Sequence, residues 1–247
     1  MSDDRKLTIL GHLRELRTRL TRSVIVLTVT TIVSFIFAKQ VFDVLTAPVQ
    51  GNTLIFIEVT EMLGTYMKVA LGGGIVLAMP YLVYEFIMFV SPALTSKEKR
   101  YVFMVLPWVA LMFAGGVVFG YFVLLPPAIK FLIGFGSDIA TPQIRIGNYI
   151  SIVTRLLLSI GIVFELPVIS TFLARLGIIT SRWLASKRRA AIIIAFIIGA
   201  AITPTFDPIN QSLVAVPLIV LYEMSVWLAK LVERRQPRPV SVPAPQE

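Results

Sequence analysis

Six long apolar stretches separated by short polar interruptions dominate this chain. They run over about Leu20 to Ala38, Met62 to Val90, Tyr101 to Leu125, Tyr149 to Ala174, Arg189 to Thr203 and Ile209 to Ala229. A helix that crosses a bilayer needs roughly 20 apolar residues at 1.5 Å each. The pattern therefore predicts an all-α polytopic membrane protein with six transmembrane helices. The second stretch is generous and should tilt or bend near Pro80. The fifth, at about 15 residues, reaches only about 22 Å. The sixth is separated from it only by Pro204-Thr205-Phe206-Asp207-Pro208, so the last two helices are expected to be short and the bilayer thinned beside them. One re-entrant hairpin is the alternative for this pair. Ahead of the first stretch, Leu10, Leu13, Leu16 and Leu20 recur at spacings of three and four. This predicts an amphipathic helix over about residues 8–20, lying in the membrane interface before the chain enters the bilayer.

Composition supports the membrane class. Of 247 residues, 56% are apolar and 15% charged, and mean hydropathy is +0.83; a soluble domain carries about 25% charge. One domain is expected over residues 1–232, followed by a Pro-rich, disordered tail over 233–247. The basic start leads into a full span with no small-residue cleavage pattern, so no cleavable signal peptide is expected. The formal charge of +9 is sorted by side. Arg5, Lys6, Arg14, Arg17, Arg19 and Arg22 precede the first stretch. Lys97, Lys99 and Arg100 precede the third, and Arg175, Arg182, Lys187, Arg188 and Arg189 the fifth. Lys230, Arg234, Arg235 and Arg238 follow the sixth. The opposite side has only Lys39, Lys130 and Arg145, while Lys68 and Arg155 lie within stretches and can snorkel outward. The positive-inside rule then places both termini in the cytoplasm. The charge is topogenic, and no nucleic acid partner is expected. With no Cys and one His, a Cys/His metal site, a thiol nucleophile and a disulfide are excluded, and no cofactor is expected.

Against this basic apron a few acids and small residues stand out. Glu15, in His12-Leu13-Arg14-Glu15-Leu16-Arg17, is the only acid between Arg5 and the first stretch. It has ion-pair spacing to Arg19, and it would also suit a cationic ligand. Glu98 follows Thr95 at capping-box spacing; a capped, fixed carboxylate is at the same time a good guanidinium acceptor. Glu165 lies mid-way along the fourth stretch, where a carboxylate is costly unless it is neutral, paired or wet. It is expected to open on a concave, partly hydrated face, with the local helix kinked by Pro167. Thr203, Asn210, Gln211 and Ser212 crowd the outer ends of the last two helices, where a partner-facing surface and ordinary helix caps are both open readings. Gly72-Gly73-Gly74 and Gly116 to Gly120 permit close helix approach, most simply within the chain.

These motifs taken together resemble the TatC family, the core subunit of the twin-arginine protein translocase. The matching words are His12 to Arg17, Phe89-Val-Ser-Pro-Ala-Leu94 with Glu98 downstream, and Phe164-Glu-Leu-Pro-Val168. Ile202-Thr-Pro204 with Gln211, and Ala47-Pro48, also match. The likeness covers roughly residues 8 to 232. It implies a cupped, glove-like bundle of six helices in the cytoplasmic (inner) membrane of a bacterium or archaeon. It implies a receptor for twin-arginine signal peptides that works with TatA and TatB subunits, as one of several copies, to export folded proteins on the proton-motive force. It further implies that Glu15 and Glu98 accept the paired arginines, with Phe89, Leu16 and Arg17 in the same signal-peptide-binding patch. Glu165, Thr203 and Gln211 become intramembrane polar contacts for a partner subunit. Two neighbouring carboxylates can each grip a guanidinium in a way Lys cannot reproduce. A secondary transporter using Glu165 as ion carrier is the competing reading. Neither an inverted repeat nor a dense midplane polar site supports it. An enzyme is rejected, because no catalytic constellation can be assembled.

Overall fold

The computed structural model describes residues 2–49, 54–90, 96–135, 139, 142–203 and 208–234, with side chains of 2–10, 96–101 and 234 outside that description. Ten helices follow in order: α1 Ser2–Ile36, α2 Ala38–Thr46, α3 Glu61–Val90, α4 Ser96–Phe119, α5 Leu125–Gly134, α6 Ile146–Phe164, α7 Leu166–Arg175, α8 Ser181–Ser186, α9 Arg188–Ile202 and α10 Pro208–Arg234. The segment over residues 8–20 is helical and continues without a break into the first apolar stretch as one α1. No Pro interrupts residues 2–36, so nothing in the sequence forces a break at the membrane surface. Pro80 likewise leaves α3 continuous.

The third and fourth stretches are each built in two pieces. The third continues from α4 through a π turn at Gly120–Leu124 into α5. Pro126 and Pro127 have no N–H to donate, so they fit the first turn of a new helix, and the wider turn before them absorbs the mismatch. The fourth breaks at Glu165, where α7 restarts with Pro167 in its first turn. Among the described residues, five helical segments are long and apolar enough to cross a bilayer: 11–36, 61–90, 102–134, 146–175 and 208–233. The fifth apolar stretch, α9, has 15 residues and falls short of that length, as its sequence implies. The sixth does not. Helix α10 runs for 27 residues, because it continues past the apolar stretch to Arg234 and is tied there to α8. The expectation of two short final helices therefore holds for one of them.

The helices pack closely where small residues allow it, α1 antiparallel to α3 and α3 parallel to α6. A Cβ on Gly74 of α3 would lie 2.7 Å from the Thr31 Cα of α1, and one on Gly72 would lie 2.9 Å from the Thr154 Cγ2 of α6. The glycine triplet thus seats α3 between α1 and α6. Across α4 and α6, a Cβ on Gly116 would lie 2.8 Å from the Phe164 Cβ, and one on Gly161 would lie 2.7 Å from the Phe113 ring. The main core fills the space between α2, α3, α6, α9 and α10, with Ile150, Leu156, Ile160 and Ala215 fully enclosed. A second core joins α3, α4 and α7 through Val83, Ile87, Val109, Phe113 and Phe172.

Polar clamps close the two ends. On the side of the α3 and α6 N-termini, short parallel strands pair β1 Leu54–Ile55 with β2 Ile144–Arg145. The Glu61 carboxylate accepts from the Ile57 and Gly147 amides at 3.0 and 2.9 Å and from Arg145 Nε at 2.9 Å. Arg145 also pairs with Glu58 at 2.7 Å, and these two acids hold its guanidinium pKa above the ordinary value, Glu58 foremost. At the other end, Gly177 (φ 71°) ends α7 in the left-handed conformation that glycine adopts without strain. Beyond it the Glu233 carboxylate accepts from the Ser181 amide and hydroxyl at the start of α8, each at 2.5 Å.

Candidate functional site

The antiparallel register of α1 on α3 assembles a polar cluster where the N-terminal half of α1 meets the C-terminal end of α3. Thr31 meets Gly74; Arg19 lies twelve residues back along α1, and Glu85 eleven residues on along α3. At 1.5 Å per residue these are displacements of about 18 and 17 Å, so the two side chains arrive at one level. Arg19 Nη1 donates to Glu85 Oε2 at 2.8 Å. On its other flank, Arg19 Nε and Nη2 both donate to Glu15 Oε1, at 2.9 and 2.6 Å. The remaining Glu85 oxygen accepts from the Tyr81 hydroxyl at 2.7 Å. One turn further out on α3, Phe89 stacks on His12 of α1, with ring centroids 4.5 Å apart and planes inclined by 16°. Helical geometry explains the set: Tyr81, Glu85 and Phe89 recur every four residues, as do Glu15 and Arg19, so each series forms one stripe.

The electrostatics of the cluster are unequal. The Glu85 side chain is 4% exposed, Arg19 16% and Glu15 31%. One guanidinium is thus shared between a sealed carboxylate and an accessible one. Ionised, the triad carries one more negative than positive charge, in the one place where the surrounding helix start is otherwise basic. Leu16 and Arg17 are exposed beside it. Glu98 belongs to the first turn of α4, but its side chain lies outside the described residues, as does Thr95.

Glu85 is the residue that sequence reasoning missed. It sits in the C-terminal part of the second apolar stretch, and an ionisable residue inside a span is a functional-site hypothesis by default. The Glu15–Arg19 pair was legible from its spacing; that Arg19 is shared with a distant helix was not.

Glu165 departs from expectation. It does not open on a concave face: it is 2% exposed, and neither carboxylate oxygen has a hydrogen-bond partner among the described residues. The physical reason is the glycine contact one turn before it on α6 and the one across from it on α4. Gly161 and Gly116 bring α4 so close to α6 that the break between α6 and α7 is covered. A buried polar group without a partner costs about 1–3 kcal/mol. Glu165→Leu is therefore expected to raise the thermal stability of the purified protein by an amount of that order. A lower melting temperature would mean that the carboxylate is held for the fold.

Thr203 and Gln211 also turn inward. Thr203 Oγ1 donates to the Gly199 carbonyl at 2.8 Å, and Gln211 Nε2 donates to the Phe196 carbonyl at 2.8 Å, bridging α10 to α9. Pro204 to Asp207 between them lie outside the described residues. Lys68 is exposed and reaches Ser151 at 2.9 Å, and Arg155 is exposed one turn further along α6.

A family model described as Sec-independent protein translocase protein (TatC) matches residues 11–217. The Sec-independent protein translocase protein TatC of Aquifex aeolicus (strain VF5) is 42% identical over 231 residues, covering 91% of this chain and 95% of its own. That of Carboxydothermus hydrogenoformans is 37% identical over 236 residues, covering 95% and 97%. The crystal structure of a twin arginine translocase receptor, TatC, superposes with a TM-score of 0.79 at 43% identity, covering 90% of this chain and 99% of its own. A second, in the detergent DDM, gives 0.80 at 42% identity, covering 88% and 99%.

Proposed function

The chain belongs to the TatC family of Sec-independent protein translocase proteins, and on that premise we propose that it is the twin-arginine signal-peptide receptor and core subunit of a translocase exporting folded proteins. The observation that carries the reading is Glu15. It is a half-exposed carboxylate, held from behind by Arg19 and Glu85, in a triad one cation short of neutrality. An arriving arginine would complete the charge balance and find a fixed acceptor, while the His12–Phe89 stack gives the peptide an aromatic ledge. Glu98, Leu16 and Arg17 complete the patch, with Glu98 taking the second arginine.

The wider assignment follows the charge pattern and the family. Six crossings, with α9 as the short one, put both termini in the cytoplasm of an inner membrane, beneath a single domain of residues 1–232 and a Pro-rich tail over 233–247. TatA and TatB subunits, further copies of this chain and the proton-motive force complete the machine. Thr203, Gln211 and Glu165 serve contacts with partner helices, which would exchange for the internal bonds those residues now make or would meet the empty carboxylate. The role is transport, and catalysis has no place in it. An ion carrier built on Glu165 is not favoured, since that carboxylate is sealed and the family is one of protein translocases.

A photo-crosslinking amino acid at Leu16 tests the assignment in membranes. It is expected to capture a precursor whose signal peptide carries Arg-Arg and to spare the same precursor with Lys-Lys. The same probe at Leu63, exposed at the far end of α3, is expected to capture neither. Equal capture of both precursors at Leu16 would remove the receptor assignment.

A further inference from the structure

The resting triad already contains a guanidinium on Glu15, and it belongs to the chain itself. Both Nε and Nη2 of Arg19 engage a single Glu15 oxygen, at 2.9 and 2.6 Å. That is the position an external arginine would have to take. Arg19 has a second acceptor at 2.8 Å in Glu85, which is sealed from solvent and fixed by Tyr81. We propose that Arg19 is an internal stand-in for the incoming arginine: it caps Glu15 at rest and withdraws onto Glu85 when a peptide guanidinium docks. This rests on the reading of Glu15 as the acceptor for the signal peptide.

The charges make the exchange feasible. At rest two carboxylates share one guanidinium; with the peptide in place each carboxylate has its own. Arg19 need not be released to water, because its Glu85 bond is already formed. Glu85 is too buried to be taken by the peptide, so it is a positioning residue that acts through Arg19. The arrangement also selects. A competitor must match a guanidinium with two donors on one oxygen, and the ammonium of Lys, a strongly hydrated point charge, matches it poorly. Discrimination between Arg and Lys thus comes partly from what has to be displaced.

Binding of a fluorescent twin-arginine signal peptide, and of its Lys-Lys counterpart, to the full chain in lipid nanodiscs provides the test. Arg19→Gln removes the competitor. It is expected to tighten both peptides, the Lys-Lys one more, so that discrimination falls about fivefold, the worth of one partly exposed ion pair. Glu85→Gln leaves Arg19 with Glu15 alone and should weaken the twin-arginine peptide by about the same factor. In the double variant Arg19→Gln/Glu85→Gln the effect of Glu85 should vanish, because it operates only through Arg19. A Glu85 effect of equal size with and without Arg19 would overturn the proposal, as would weaker twin-arginine binding by a folded Arg19→Gln protein. Should a single variant fail to fold, Arg19→Lys decides, since it keeps the charge and loses the grip. Reduced discrimination supports the stand-in, and unchanged discrimination overturns it. Glu15→Gln serves as the separate check. If it leaves peptide affinity unchanged, the assignment of Glu15 itself has failed; if it weakens binding while the Arg19 and Glu85 series behaves additively, only the stand-in has.

Discussion

Gly74→Val is expected to unseat α1 from α3 and to leave little folded protein. A Cβ at this position already lies 2.7 Å from the Thr31 Cα and 2.9 Å from its backbone nitrogen. Backbone cannot rotate away as a flexible side chain can. The helices must part, and overpacking of this kind costs about 1–3 kcal/mol or more. Parting them also pulls Arg19 away from Glu85, so the Glu15–Arg19–Glu85 cluster is lost with the packing. Gly115→Val is the matched control: it is the same change in a neighbouring membrane helix, at a glycine with nothing within 4 Å of its Cβ position. Thermal unfolding in detergent, followed by tryptophan fluorescence, should show a large drop for Gly74→Val and almost none for Gly115→Val. Similar melting of the two would mean that the α1–α3 contact is looser than its glycines imply.

Glu15→Gln is expected to weaken binding of a twin-arginine signal peptide by about fivefold, corresponding to about 1 kcal/mol for removing the acceptor of a partly exposed charge pair. It should do so without harming the bundle. The amide removes the accessible charge, while Arg19 keeps its 2.8 Å bond to Glu85, so the remaining pair is neutral and complete. Peptide titration and a thermal melt on the same preparation separate the two effects. Unchanged affinity would remove Glu15 from the site, and a parallel loss of melting temperature would make its role structural.

Much of the helical layout was legible because lipid imposes it. In hydrocarbon every backbone group must be bonded within its own helix, so apolar length alone located five spans and the short α9. Pro167 likewise announced the break at Glu165. The errors arose where the chain passes from lipid to water, since composition changes there and helix propensity does not. Residues 2–10 continue α1, and residues beyond Ala229 continue α10 to its bond with α8. The strand pair at Leu54 and Ile144 was invisible, because two residues on each side give no periodicity.

The sequence by itself determined the class of protein, the charge asymmetry between its two faces, and the motifs that carry the likeness to TatC. It also held the Glu15–Arg19 spacing, because neighbours four apart on a helix meet whatever else the chain does. Tertiary structure decided which distant groups share that pair. Glu85 joins Arg19 only because Gly74 lets α3 approach Thr31 of α1, which fixes the antiparallel register over the next eleven residues. The same close packing, through Gly116 and Gly161, turned Glu165 from an expected open polar face into a sealed carboxylate. A residue's charge is written in its own letter; its partners depend on how near two helices can come, which is set by small residues far away along both.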